Sequence, residues 1–167
     1  MEQNSKEYDV YKNIDFANRY EAISKNHQFE DSFEKYSNEE VVKLISELGY
    51  KSKYIKSDNF FRTQDKIQNV EFYFHICLKH GIVELIIGAV NTENNKLITG
   101  GVFGWLHSDI KEAEGIILDK KVRKPQFRSY NDLREILKEA FSIYEDFKRE
   151  VVVVFPRLGV ASFATSC

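Results

Sequence analysis

Between Val70 and Lys79 the chain alternates strictly. Val70, Phe72, Phe74, Ile76 and Leu78 take one parity, and Glu71, Tyr73, His75, Cys77 and Lys79 take the other. A period of two places each set on its own face of a β-strand. Lys79–His80–Gly81 supplies a turn, with Gly81 free to adopt positive φ. Ile82 to Val90 then returns as a nearly continuous apolar run, which predicts a central strand covered on both faces. Asn91 to Lys96 is a second turn. Leu97 to Leu106 is predicted as a third strand, its glycines 100, 101 and 104 marking a bulge or a close approach of backbone. Upstream, Lys53 to Gln68 predicts a short strand, a polar turn and then a loop or second strand. Downstream, Gly115 to Val122 is a candidate for one more strand.

The period changes on either side of this block. In "SNEEVVKLISELGY", Val41, Leu44, Ile45 and Leu48 form one helical face. Ser37 is placed to cap that helix, Glu40 to reach back to the Ser37 amide as a capping box, and Gly49 to stop it. After Ser129, Leu133, Ile136, Leu137, Ala140, Phe141, Tyr144 and Phe147 repeat at helical spacing, predicting an amphipathic helix that lies on the sheet. A rougher stripe suggests a helix from Ile14 to Lys25. Consecutive strands between helices indicate α+β: an antiparallel sheet of about four to five strands with N-terminal helices and a C-terminal helix packed on it. Residues 1–150 form one domain in this reading. Residues 151–167 are an extension in which β-branched Val151 to Val154 favours an added strand. Beyond Pro156 no period is visible, as in a native tail or an expression remnant.

Composition narrows the class of protein. With 167 residues, 43% hydrophobic and 30% charged, the chain is long enough for one buried core and too apolar for a disordered one. Two cysteines build no disulfide framework, and the start "MEQNSKEYDV" lacks the basic and apolar regions of a signal peptide. No apolar stretch reaches the roughly 18 residues of a membrane span. A cytoplasmic location is expected. The net charge of −2 argues against a general nucleic-acid binder. That average conceals segments. Residues 1–50 hold six bases against eleven acids, residues 51–80 six against three, and Asp119 to Arg128 five against one.

Candidate chemistry is sparse. His75 and Cys77 share a strand face, but no third and fourth ligand accompany them, so no metal is expected. Cys77 in mid-strand lacks the electropositive, exposed setting of a reactive thiol. "GGVFG" (100–104) lacks the lysine of a phosphate-binding loop and does not lead into an evident helix. No cofactor is expected. Trp105, His107 and Asp109 fall close together at a predicted strand end, where they could serve acid–base work or form an exposed protein-binding patch. "DKKVRKPQFR" (119–128) interleaves bases with Phe127, a pattern that can hold phosphates and stack a base.

In general pattern, the capped helix at 37–48, the sheet "VEFYFHICLKHGIVELIIGAV…LITGGVFGWL" and the closing helix "NDLREILKEAFSIYEDFK" resemble the bacterial immunity proteins of contact-dependent inhibition and related polymorphic toxin systems. The resemblance covers residues 37–150. It implies a cytoplasmic, non-enzymatic antidote that binds and neutralises one cognate toxin domain, often a nuclease. The carboxylates Glu30, Asp31, Glu34, Glu39 and Glu40, with Trp105, His107 and Asp109, are the expected partner-binding residues. The rival expectation is a small enzyme or nucleic-acid-associated protein using the 119–128 stripe with His107 and Asp109.

Overall fold

A computed structural model describes residues 2–156. The helices are α1 (Glu2–Asn13), α2 (Phe16–Asn26), α3 (Asn38–Glu47), α4 (Phe103–Ala113) and α5 (Tyr130–Val154). Strands β1 (Lys53–Ile55), β2 (Phe60–Ile67), β3 (Val70–Lys79), β4 (Ile82–Asn91) and β5 (Lys96–Val102) lie between α3 and α4. They form one antiparallel sheet in the order β1-β2-β3-β4-β5, each strand beside its neighbour in sequence. The fold is α+β, as the switch of period predicts. The β3–β4 hairpin turns through His80 and Gly81, both at positive φ.

The core lies between the sheet and the helices packed on one of its faces. Phe74, on the even-numbered face of β3, meets Phe141 and Tyr144 of α5 at 4.9 and 5.2 Å between ring centroids, and Phe103 of α4 at 6.0 Å. Phe72 packs edge-on to Phe147, and Tyr11 of α1 bonds Thr99 of β5 at 2.8 Å. Among the described residues no helix covers the odd-numbered face of β3, and its Glu71, Tyr73, His75 and Cys77 are half-buried. β4 therefore alternates too. Val83, Leu85, Ile87 and Ala89 are buried, whereas Glu84, Ile86 and Val90 are half-buried on the open side. The expectation of a strand covered on both faces fails because Ile86 and Val90 are apolar residues on a sheet face that meets solvent.

Four local expectations also change. The strand predicted to run to Leu106 ends at Val102; Phe103, Leu106 and Ile110 instead form the buried stripe of α4. "GGVFG" thus does lead into a helix. Gly100, at φ +152°, sits where an added Cβ would stand 2.5 Å from the Ile87 carbonyl oxygen, so close backbone approach is what this glycine serves. Gly115 to Val122 forms no strand; segment 125–127 instead touches the start of β4, Val83 N–H donating to Pro125 O and Phe127 N–H to Gly81 O. Val151–Val154 continue α5, since Val151 extends the buried stripe of Tyr144 and Phe147 and that packing outweighs β-branching. The N-terminal helix begins at Phe16, after a break at Asp15 (φ 54°), and α1 precedes it.

The helix starts explain how the layers are tied. Ser37 Oγ accepts from Glu40 N–H at 3.4 Å, but the Ser37 N–H donates to Tyr130 Oη at 2.9 Å. The reciprocal half of the predicted capping box is therefore taken by a tyrosine of α5, which joins α3 to that helix. At α5 itself Ser129 Oγ accepts from Asp132 N–H, and Asp132 Oδ2 reaches back to Arg128 N–H, both at 3.1 Å. Residues 157–167, where the remainder of the expected extension falls, lie outside the described residues.

Candidate partner-binding surface

Glu30, Asp31 and Glu34 stand exposed on the segment that links α2 to α3. That segment has no helix or strand of its own, yet its backbone is tied down. The His27 carbonyl accepts from Gln126 N–H at 2.8 Å, Phe29 N–H donates to Gln126 Oε1 at 2.8 Å, and Phe33 N–H donates to Phe127 O at 3.2 Å. Tyr36 Oη donates to the Leu78 carbonyl of β3 at 2.9 Å. Phe33, Tyr36, Phe127 and Tyr130 pack their rings edge to edge beneath it. The three carboxylates are thus presented outward by an anchored loop. Glu39 and Glu40 follow, exposed in the first turn of α3, where negative charge also suits the helix dipole.

None of these five carboxylates enters an ion pair among the described residues, whereas acids elsewhere do. Asp146 meets Arg19 at 2.7 Å, Glu84 meets Lys124 at 2.5 Å and Asp132 meets Arg128 at 3.1 Å. The structure lays the acidic loop alongside the basic 122–128 segment through backbone bonds. The loop's own carboxylates stay unpaired.

Trp105, His107 and Asp109 do not converge. They belong to α4, where residues two apart point to nearly opposite sides. Trp105 and Asp109, four apart, share the outer face, with Trp105 64% exposed. His107 is 2% exposed and turned toward α2, its Nε2 lying 2.7 Å from Glu21 Oε1. Lys111 approaches the same carboxylate at 3.4 Å. The hydrogen bond from His107, with Lys111 beside it, holds the Glu21 carboxyl below its ordinary range. A His107–Asp109 acid–base pair is not formed, because the spacing that joins two side chains on a strand separates them on a helix.

The outer face of α4 continues into an apolar feature that the sequence reading missed. Ser108 and Glu112 line an open cleft of about 480 Å³ together with residues 115–121. Ile117 on its rim is 93% exposed. The sequence signal is "GIIL", whose apolar run predicts a strand instead.

Part of the basic stripe is tied into the fold, while Lys120, Lys121 and Arg123 stand exposed. Phe127 is fully buried, so it cannot stack a base. Lys124 pairs with Glu84, and Arg128 both pairs with Asp132 and lies 3.9 Å over the Phe29 ring. On the open sheet face His75 lies between Phe60 and Tyr73, at 4.4 and 4.8 Å between centroids. Burial, with the Arg62 charge opposite, pushes its pKa down to about 4. Burial raises the Cys77 thiol, and Glu84 adds to the effect. His80 is exposed in the turn. Among the described residues no three His, Cys, Asp or Glu side chains gather where a metal ion could be held, and no helix is long and apolar enough to cross a membrane.

No protein-family model, curated protein or solved structure matches this chain.

Proposed function

We propose that this chain is an immunity protein that binds a basic toxin domain and neutralises it without performing chemistry of its own. The observation that carries the reading is the unpaired acidic ridge. Glu30, Asp31 and Glu34 are exposed on a loop held by main-chain bonds, and none of them enters an ion pair among the described residues. Such charges add little to stability. They speed encounter with a positively charged partner and discriminate against wrong ones. The outer face of α4 supports the same reading, since Trp105 stands exposed beside Asp109 and Glu112. An exposed aromatic ringed by polar groups is the usual form of a binding hot spot. A toxin that acts on nucleic acid carries a basic active-site surface, which suits an acidic inhibitor.

Rescue of growth tests the proposal. A neighbouring reading frame is expected to encode a toxin domain that, expressed alone, arrests growth, and co-expression of the chain is expected to restore it. Glu30→Lys with Asp31→Lys and Glu34→Lys, which spare the α3 cap, should abolish rescue and slow association at low salt. Unaltered rescue by the triple variant removes the acidic ridge from the interface. A toxin domain that arrests growth equally in the presence of the intact chain overturns the immunity function itself.

A further inference from the structure

The open face of the sheet carries a second arrangement that the acidic ridge does not use. Residues directly opposite on neighbouring strands share a face, and the register places Lys53 opposite Arg62, Arg62 opposite His75, Gln64 opposite Tyr73 and Lys66 opposite Glu71. Phe60, His75 and Tyr73 form a continuous row of rings on this face, adjacent centroids 4.4 and 4.8 Å apart. The Tyr73 ring lies across Gly88, filling the space a side chain there would take. Beside the rings stand Lys53, Arg62 and Lys66, none in an ion pair among the described residues. Of the acids of this face, Glu84 pairs with Lys124 at 2.5 Å, and Glu71 accepts from the Gln64 amide at 2.9 Å and lies opposite Lys66.

We propose that this face binds single-stranded nucleic acid, its bases resting on Phe60, His75 and Tyr73 and its phosphates on Lys53, Arg62 and Lys66. The chemistry fits a strand better than an acidic protein surface. The rings stand on β2 and β3 and the cations on β1 and β2, so a ring row and a cation row lie side by side on one face, as bases and phosphates do along a strand, and every base offers a π-face to an aromatic platform. His75 stays uncharged near neutrality, so it contributes a ring and leaves the positive charge to Arg62. The chain-wide charge of −2 does not oppose this, because screening confines surface fields to about 10 Å and the acidic ridge belongs to other elements.

Fluorescence anisotropy of the full chain with labelled oligouridine and oligothymidine of about 12 nucleotides tests the proposal. Saturable binding that weakens steeply between about 50 and about 200 mM salt is expected. Arg62→Glu combined with Lys66→Glu should weaken it at least tenfold, roughly the loss of two phosphate contacts at low salt. Phe60→Ala should weaken it about tenfold, with melting curves recorded beside each variant. If Phe60→Ala melts early, Phe60→Leu removes the ring and keeps most of the volume. A preference for RNA assigns the 2′-hydroxyl a part, and equal binding leaves recognition to phosphates and bases. No binding at the lower salt, or binding that the charge reversals leave unchanged, overturns the proposal. Tighter binding of poly-L-glutamate than of either oligonucleotide also overturns it and gives the face to an acidic protein.

Discussion

The Tyr73 ring occupies the space over Gly88, its partner directly across β3 and β4; a Cβ on Gly88 would lie 2.1 Å from Tyr73 Cζ. The obstruction is the far end of a side chain, which can swing away. Gly88→Ala is therefore expected to fold and to expose Tyr73. Burial raises the Tyr73 phenol above its ordinary pKa, and in Gly88→Ala that pKa should move back down, read by NMR on ring-labelled tyrosine. Gly100→Ala meets backbone instead, 2.5 Å from the Ile87 carbonyl oxygen at φ +152°. Backbone in the sheet cannot yield as a ring can. A loss of about 1–3 kcal/mol is expected from strain of this kind, so the urea midpoint of Gly100→Ala should fall below that of Gly88→Ala.

Phe74 is the hub of the core, in ring contact with α4 and α5 at once. Phe74→Ala removes those contacts and leaves a cavity that two helices and a sheet cannot close, at a cost of about 3–5 kcal/mol. Chemical denaturation measures it directly, and an unchanged midpoint would refute the placement of the core.

Phe74 was legible because the strict alternation from Val70 to Leu78 has only one structural meaning, and the same holds for the buried stripe from Leu133 to Phe147. What stayed hidden depended on partners far along the chain. Nothing local to Ile86 and Val90 says that one sheet face lacks a covering layer among the described residues, so their apolar run by itself predicts burial on both sides. Glycines and a β-rich stretch masked the stripe Phe103, Leu106, Ile110, and that error carried into the site. His107 and Asp109 were paired by strand spacing, although on α4 they face apart. The acidic ridge was visible as composition. Its anchoring through Gln126 and Phe127, about a hundred residues away, was not.

Asp65 of β2 accepts from Tyr144 Oη and from Lys148 Nζ, both at 3.0 Å, and Lys148 also reaches Glu145 at 2.8 Å. Lys148 is a buried residue, and these two carboxylates are its ion-pair partners. Asp65→Ala strips the Tyr144 hydroxyl of its acceptor and leaves Lys148 one partner. A loss of about 1–3 kcal/mol is expected. A double-mutant cycle with Lys148→Met should show the two effects to be non-additive.

His75 makes stability depend on pH. Its pKa is about 4 in the folded chain against an ordinary 6.5, through burial first and the Arg62 charge second. Above the ordinary value both folded and unfolded chains hold the neutral ring, and this group leaves stability unchanged. As pH falls from 6.5 toward 4, the unfolded chain takes up a proton that the folded one refuses, so stability is lost across that window. His75→Gln should flatten this part of the urea-midpoint profile, while Arg62→Gln, by removing the like charge, should shift the loss to lower amplitude. A wild-type profile identical to that of His75→Gln would contradict the placement of the ring.

Trp105 and His107 separate surface from scaffold on a single helix. Trp105 is 64% exposed and His107 2%, although only one residue lies between them. Trp105→Ala should leave stability within about 0.5 kcal/mol, as for most surface changes. Truncating an aromatic anchor at a hot spot costs about 2 kcal/mol or more of binding, so under the proposed function this variant should weaken the proposed toxin complex more than about tenfold. His107→Ala should do the reverse. It empties a buried site between α4 and α2 and removes the hydrogen bond to Glu21, lowering stability by about 2 kcal/mol. With excess folded protein it should bind the proposed toxin partner with wild-type affinity. Thermal melts and calorimetric titration of the two variants side by side give four values. If Trp105→Ala bound as tightly as the intact chain, the outer face of α4 would drop out of the interface and leave it to the acidic ridge alone.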